Sequence, residues 1–180
     1  SVNEADLALK PRDLTMDEAA SIPLVGLTAW QALVEIADLK KGQKVFIQAG
    51  SGGVGTFAIQ LAKYLGAFVA TTTSSANADL VKTLGADIVI DYKTEDFETK
   101  LKDYDLVLHS NRDPKILDKS FRILRSGGKL ISLVGPPTPE FAAGLGLPWY
   151  LRSATKLLSL GAKRKAKRSN TEFSFLFMRA

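Results

Sequence analysis

The sequence contains no cysteine and a single histidine, His109. Disulfides, thiolate zinc sites, iron–sulfur clusters and a cysteine nucleophile are thereby excluded within the chain, as is a zinc site built from several histidines. No unbroken apolar run reaches 18 residues, so no bilayer span and no membrane partner are expected. Low-complexity tracts and repeats of fixed period are also missing. The first dozen residues carry no signal-peptide pattern, and a cytoplasmic address is expected from that lack alone. The chain opens on Ser1 rather than Met and stops at Ala180, directly after the apolar stretch 173–178. An end on strand-like residues with no polar tail leads us to expect a piece of a longer protein.

What is present suits one globular domain. The 180 residues are 46% hydrophobic and 24% charged, enough to bury a core and too apolar for disorder. The net charge of +5 is local. Without Lys163, Arg164, Lys165, Lys167 and Arg168, 19 basic residues face 19 acidic ones. Nucleic-acid domains spread basic residues along a face with aromatics interleaved, so no nucleic-acid partner is expected. The cluster reads as a solvated loop between a helix and a strand.

Along the chain, Thr15-Met-Asp-Glu18 fits a capping box that opens a helix, and a helical stretch follows over 27–36, broken by Gly42. Short apolar runs then alternate with helical spacings. Strands are predicted at 44–49, 67–72, 87–90, 105–109 and 129–134, with a sixth, edge strand over 172–178. Helices are predicted at 54–65, 76–84, 94–101 (capped by Thr94), 113–124 (Asp113 as cap, Pro114 at the first position) and 148–160. Gly66 and Gly85 stand where helix ends favour glycine, and Pro136-Pro137 halts the regularity. Repeated alternation with near-continuous apolar strands implies βαβ units and a parallel sheet covered on both faces. The expected fold class is α/β, a Rossmann-type doubly wound sheet of order 3-2-1-4-5-6.

The segment Gln48-Ala-Gly-Ser-Gly-Gly-Val-Gly55 places Gly50, Gly52 and Gly55 in the pattern G-x-G-x-x-G, between the first strand and a helix. The first glycine permits a tight turn, the second lets a pyrophosphate approach bare backbone, and the third lets helix and strand pack closely. Unpaired amides at the helix start stabilise a diphosphate without any lysine. A site for NAD usually presents a carboxylate about 20 residues on. Here the second strand ends Thr71-Thr-Thr-Ser-Ser75, with no carboxylate before Asp79. The hydroxyls of Thr73, Ser74 and Ser75 can donate to a 2′-phosphate, which favours NADP(H) over NAD(H); alternatively they cap the next helix. No Arg or Lys stands at this turn, leaving Lys63 and Lys93 as candidates for the positive partner.

Beyond these patterns, residues 19–30 (AASIPLVGLTAW), 49–55 (AGSGGVG), 58–62 (AIQLA), 84–87 (LGAD) and 90–92 (IDY) resemble the medium-chain dehydrogenase/reductase superfamily. They are most similar to its zinc-independent, NADPH-dependent quinone oxidoreductase-like branch. The likeness runs from about Lys10 to Val134, and through 173–179. It implies that this chain is one cofactor-binding domain, with a barrel-like substrate domain before it and a continuation after it. It further implies that the backbone of Gly50, Ser51, Gly52, Gly53, Val54 and Gly55 holds the pyrophosphate. Thr28 would lie near the nicotinamide, Tyr92 near the adenosine, and Thr73 and Ser74 near the 2′-phosphate. Asn77 replaces a basic residue common in this branch. Leu24 stands where zinc-dependent relatives carry a ligating cysteine, so no metal is expected.

His109, at the end of the fourth strand, is expected to face the crevice and touch the cofactor without a catalytic role. Val134 and Gly135 would line the nicotinamide side. The implied activity is an oxidoreductase's: hydride transfer to a quinone or α,β-unsaturated carbonyl, a small-molecule substrate, with the cofactor carrying the chemistry. The isolated piece is expected to turn over slowly, and to form homodimers through the 172–178 edge. Two other classes remain open: a non-catalytic dinucleotide-sensing or interaction module, and a methyltransferase. The latter calls for an acidic residue after the second strand, which is lacking.

Overall fold

Three successive residues of the first strand, β1 (Lys44–Ile47), show why the sheet is buried on both sides. Val45 and Ile47 enter one apolar cluster and Phe46 the opposite one, as alternation across a strand requires. The computed structural model describes residues 4, 7–135, 139–144, 146 and 148–178. The expected break at Pro136-Pro137 and the likeness at Arg179 lie outside them. Five more strands follow: β2 (Phe68–Thr73), β3 (Ile88–Asp91), β4 (Tyr104–His109), β5 (Leu124–Ser132) and β6 (Glu172–Phe175). All pair in parallel, in the order β3-β2-β1-β4-β5-β6. This is the expected α/β Rossmann-type order, and it reverses between β1 and β4.

The first face is covered by helix α1 (Met16–Trp30), α2 (Gly53–Tyr64) and α3 (Ala78–Thr83); Ala29, Ala58, Ile59, Ala62 and Val81 pack on Val69, Leu106 and Leu108. The second is covered by α4 (Phe97–Lys100), α5 (Pro114–Arg122) and α7 (Trp149–Arg168), the last preceded by the short α6 (Pro139–Gly144). Phe46, Tyr104, Val107 and Leu130 meet Phe97, Phe121 and Ala166 there, with the Phe46 and Phe97 rings 4.8 Å apart.

Several local expectations are corrected. The capping box at Thr15 forms, with Glu18 Oε2 accepting from the Thr15 amide at 2.8 Å. The helix it opens does not stop before 27, however. It runs through Pro23 and continues as a π-helix over Gln31–Ile36. The resulting helix is 21 residues long and contains an 18-residue window of mean hydropathy 1.4, long and apolar enough to cross a membrane by length and composition. Counting unbroken apolar runs overlooks it because Ser21, Thr28, Gln31 and Glu35 interrupt them. Here its Ala29, Ala32 and Leu33 pack in the core.

Helix α4 is capped by Asp96, which accepts from the Glu98 amide, rather than by Thr94. Strand β5 begins at Leu124, and a register irregularity opposite Tyr104–Leu106 accommodates Gly127 at φ +74°. The basic cluster is not a loop. It forms the last turns of α7, where cations are favoured by the exposed carbonyls, and Lys165 pairs with Asp118.

Candidate functional site

The glycine-rich loop leaves β1 at the point where the strand order reverses. Ala49 takes a left-handed conformation (φ +54°) and turns the chain toward α2. Two glycines are demanded by space. A β-carbon at Gly50 would lie 2.1 Å from Thr71 Oγ1, and one at Gly55 would lie 2.3 Å from the Ala49 carbonyl oxygen. Gly52 is less crowded, at 3.2 Å from that same oxygen.

Internal bonds decide which amides remain for a ligand. The Gly50 amide donates to Thr72 O and the Gly52 amide to Ala49 O, both at 2.9 Å. Those of Ser51, Gly53, Val54 and Gly55 have no acceptor among the described residues. The cradle is therefore four amides at the start of α2, a geometry that suits a diphosphate.

Strand β2 fastens this loop through three consecutive threonines. Thr71 Oγ1 donates to Ile47 O (2.6 Å), Thr72 Oγ1 accepts from the Ala49 amide (3.2 Å), and Thr73 Oγ1 donates to Ser51 Oγ (2.8 Å). Asn77 Nδ2 reaches Ser51 Oγ (3.4 Å) and Ser74 Oγ (3.5 Å). Ser74 makes no side-chain cap bond, so the capping alternative for its hydroxyl is not realised. Ser51, Thr73, Ser74 and Asn77 thus gather uncharged donors at the end of β2.

Beside the loop opens a crevice of about 800 Å³, within the range of small-molecule sites. Of the expected residues, Ser51, Gly52, Thr73 and Tyr92 line it; Ser74 lines a smaller adjoining cavity of about 270 Å³. Gly50 and Gly55 are buried in the turn, and Gly53 and Val54 begin the helix. Neither Thr28, whose hydroxyl donates to Leu24 O, nor Val134 and Gly135 in the bend after β5 is part of the wall. His109 is also elsewhere. It shares the parity of Val107, on the α5 face, and is 2% exposed. Burial lowers its pKa to about 4, against a hydrogen bond to the Asn111 backbone that raises it. Its Nδ1 is buried without a partner among the described residues. The expectation that His109 faces the crevice is corrected to an interior, neutral imidazole.

Sequence reasoning missed Gln48. Its side chain is 6% exposed, lines the crevice and ties three elements together. Nε2 donates to Ser120 Oγ on α5 (2.9 Å), and Oε1 accepts from the Ser110 amide after β4 (3.2 Å). Also missed were the wall residues Asn111, Asp96 and Lys119, contributed by segments that only the sheet order brings here. Hydrogen-bonded pairing with Lys119 holds the Asp96 carboxyl below its ordinary range, and Lys100 does the same for Glu95.

This fold and crevice define a doubly wound α/β architecture of Rossmann type, and comparison with known proteins gives its kinship. Residues 53–163 match the family described as zinc-binding dehydrogenase. The chain belongs to that family, within the medium-chain dehydrogenase/reductase superfamily. It is 38% identical over 141 residues to the chloroplastic NADPH-dependent alkenal/one oxidoreductase of Arabidopsis thaliana, covering 77% of this chain and 36% of the relative. To the mitochondrial NAD(P)H oxidoreductase RTN4IP1 of Danio rerio it is 44% identical over 148 residues, covering 75% and 37%. The solved quinone oxidoreductase from Coxiella burnetii superposes with a TM-score of 0.77 at 31% identity, over 96% of this chain and 47% of that one. The chain thus spans little more than a third of the curated relatives' length, and relatives of organellar address stand among them.

The family description names zinc, and the residues present do not fit it. The chain has no cysteine and one histidine, which is buried, and no three His, Cys, Asp or Glu side chains gather among the described residues.

Proposed function

We propose that this chain is the cofactor-binding domain of a longer NADPH-dependent oxidoreductase that transfers hydride to a quinone or an α,β-unsaturated carbonyl. The observation that carries the reading is the glycine turn. Close approach at Gly50 and Gly55 leaves the amides of Ser51, Gly53, Val54 and Gly55 unpaired at a helix start beside the crevice. Those four amides would hold the pyrophosphate, and Thr73, Ser74 and Asn77 the adenosine ribose, with Tyr92 on the same wall. Bound there, the nicotinamide would supply the hydride; the protein positions it and excludes water. The printed names of the relatives, NADPH-dependent and NAD(P)H oxidoreductases and a quinone oxidoreductase, support the reaction class.

Calorimetric titration with NADPH, NADH and S-adenosylmethionine tests it. Binding of NADPH is expected, and binding of S-adenosylmethionine alone would end the reading. An NADPH-oxidation assay of the full-length protein with a simple quinone separates an enzyme from a sensing module. In that assay the 180-residue chain alone is expected to be slow, because the resemblance assigns part of the cleft to another domain. Homodimerisation through the β6 edge and a cytoplasmic address belong to the same proposal; microscopy of the tagged full-length protein checks the latter.

A further inference from the structure

The residues that would tell NADPH from NADH can be sought among the charges around the crevice. The uncharged cluster at the end of β2 (Ser51, Thr73, Ser74, Asn77) supplies donors but no cation to a 2′-phosphate. Lys63 is removed from candidacy, because its ammonium donates to both carboxylate oxygens of Asp87 at 2.9 Å, beyond the crevice wall.

The charged side chains on the wall are Lys93, Glu95, Asp96 and Lys119. Asp96 pairs with Lys119, and Glu95 with Lys100. The Lys93 ammonium has no acidic partner among the described residues, so it is the one charge on the wall left unbalanced. Lys82 lies in the adjoining cavity, 3.9 Å from Asp79.

Asp91 sets where Lys93 stands. It ends β3, next to Thr73 in register, and its carboxylate accepts from two backbone amides: Ser75 (3.1 Å) on the β2 side and Lys93 (3.0 Å) on the β3 side. One carboxylate therefore joins the two strand exits. It ends β3, whereas the ribose-binding acid of an NAD site follows the second strand, and its two main-chain bonds make it a positioning residue.

Resting on the nucleotide reading above, we propose that Lys93, held by Asp91 across from the Ser51–Thr73–Asn77 cluster, is the cation that selects a 2′-phosphorylated dinucleotide. The test is calorimetry of the chain and its Lys93→Gln variant with NADPH and NADH, at low and high salt. Lys93 is exposed, so the variant should fold as the parent does. The parent is expected to prefer NADPH. The variant should bind NADPH about tenfold more weakly, the size of one charge-assisted hydrogen bond, with NADH affinity unchanged and a shallower salt dependence. Lys82→Gln should leave the preference intact. Equal losses for both nucleotides, no loss for either, a parent without preference, or transfer of the effect to Lys82→Gln would each overturn the assignment of Lys93. Binding of neither nucleotide by the parent would instead overturn the nucleotide site itself.

Discussion

A methyl group at position 55 would sit 2.3 Å from the Ala49 carbonyl oxygen and 2.7 Å from Gly50 Cα, all backbone, which has no flexible end to swing aside. Gly55→Ala is therefore expected to cost about 2–3 kcal/mol in urea unfolding, as overpacking does. Gly52→Ala meets the same oxygen at 3.2 Å and should fold nearly as well while weakening nucleotide binding, because Gly52 lines the crevice. The residue scale also carries a pH prediction. Burial depresses the pKa of His109 to about 4, from an ordinary 6.5. Between those values the unfolded chain binds the extra proton and the folded chain does not, so folding stability rises with pH. The contribution is complete above pH 6.5 and is lost as pH falls toward 4, by about 3 kcal/mol at most. Urea titrations at pH 5 and 7 should show this slope in the parent and a flatter one in His109→Leu.

Elements are held at their ends. The capping box at Thr15 satisfies the first amides of α1, and Thr15→Ala should lower stability by about 1 kcal/mol. At the far end, the Lys129 ammonium on β5 donates to the carbonyls of Ile36 and Ala37 at 3.3 Å, closing the π-helix onto the sheet. A cation at exposed carbonyls is favourable, and Lys129→Met should loosen this junction. Hydrogen exchange should then quicken at Leu39, whose amide bonds to Leu33 O, and stay unchanged at Gly50 on the opposite side of the domain. The same physics explains the basic cluster. Five cations that read as a solvated loop are compatible with the C-terminal turns of α7, where carbonyls collect partial negative charge.

The whole molecule places one sheet between two unequal covers and leaves β6 at an edge. An edge strand presents unpaired main-chain groups, and pairing with a second copy would satisfy them. Light scattering is expected to report a dimer; a monomer across the micromolar range would refute the edge pairing. The long helix over Met16–Ile36 also keeps Leu24 (62% exposed), Leu27 and Trp30 uncovered on its outer side.

Periodicity and glycine spacing were sufficient to read the α/β class and the turn that opens α2, because alternation and backbone crowding are local consequences of residue order, and the strand order followed from the right-handed winding that βαβ units favour. The Thr15 and Asp113 caps were legible for the same reason. Which amides of the turn stay unpaired was not legible, since Thr72 O, a residue of another strand, takes the Gly50 amide. Nor could spacing show that Gln48 joins Ser110 to Ser120, that His109 is interior, or that Lys63 is claimed by Asp87 while Lys93 has no acidic partner among the described residues. Those outcomes depend on contacts between segments dozens of residues apart, and only the packing of the folded sheet and its helices brings such segments within hydrogen-bonding distance.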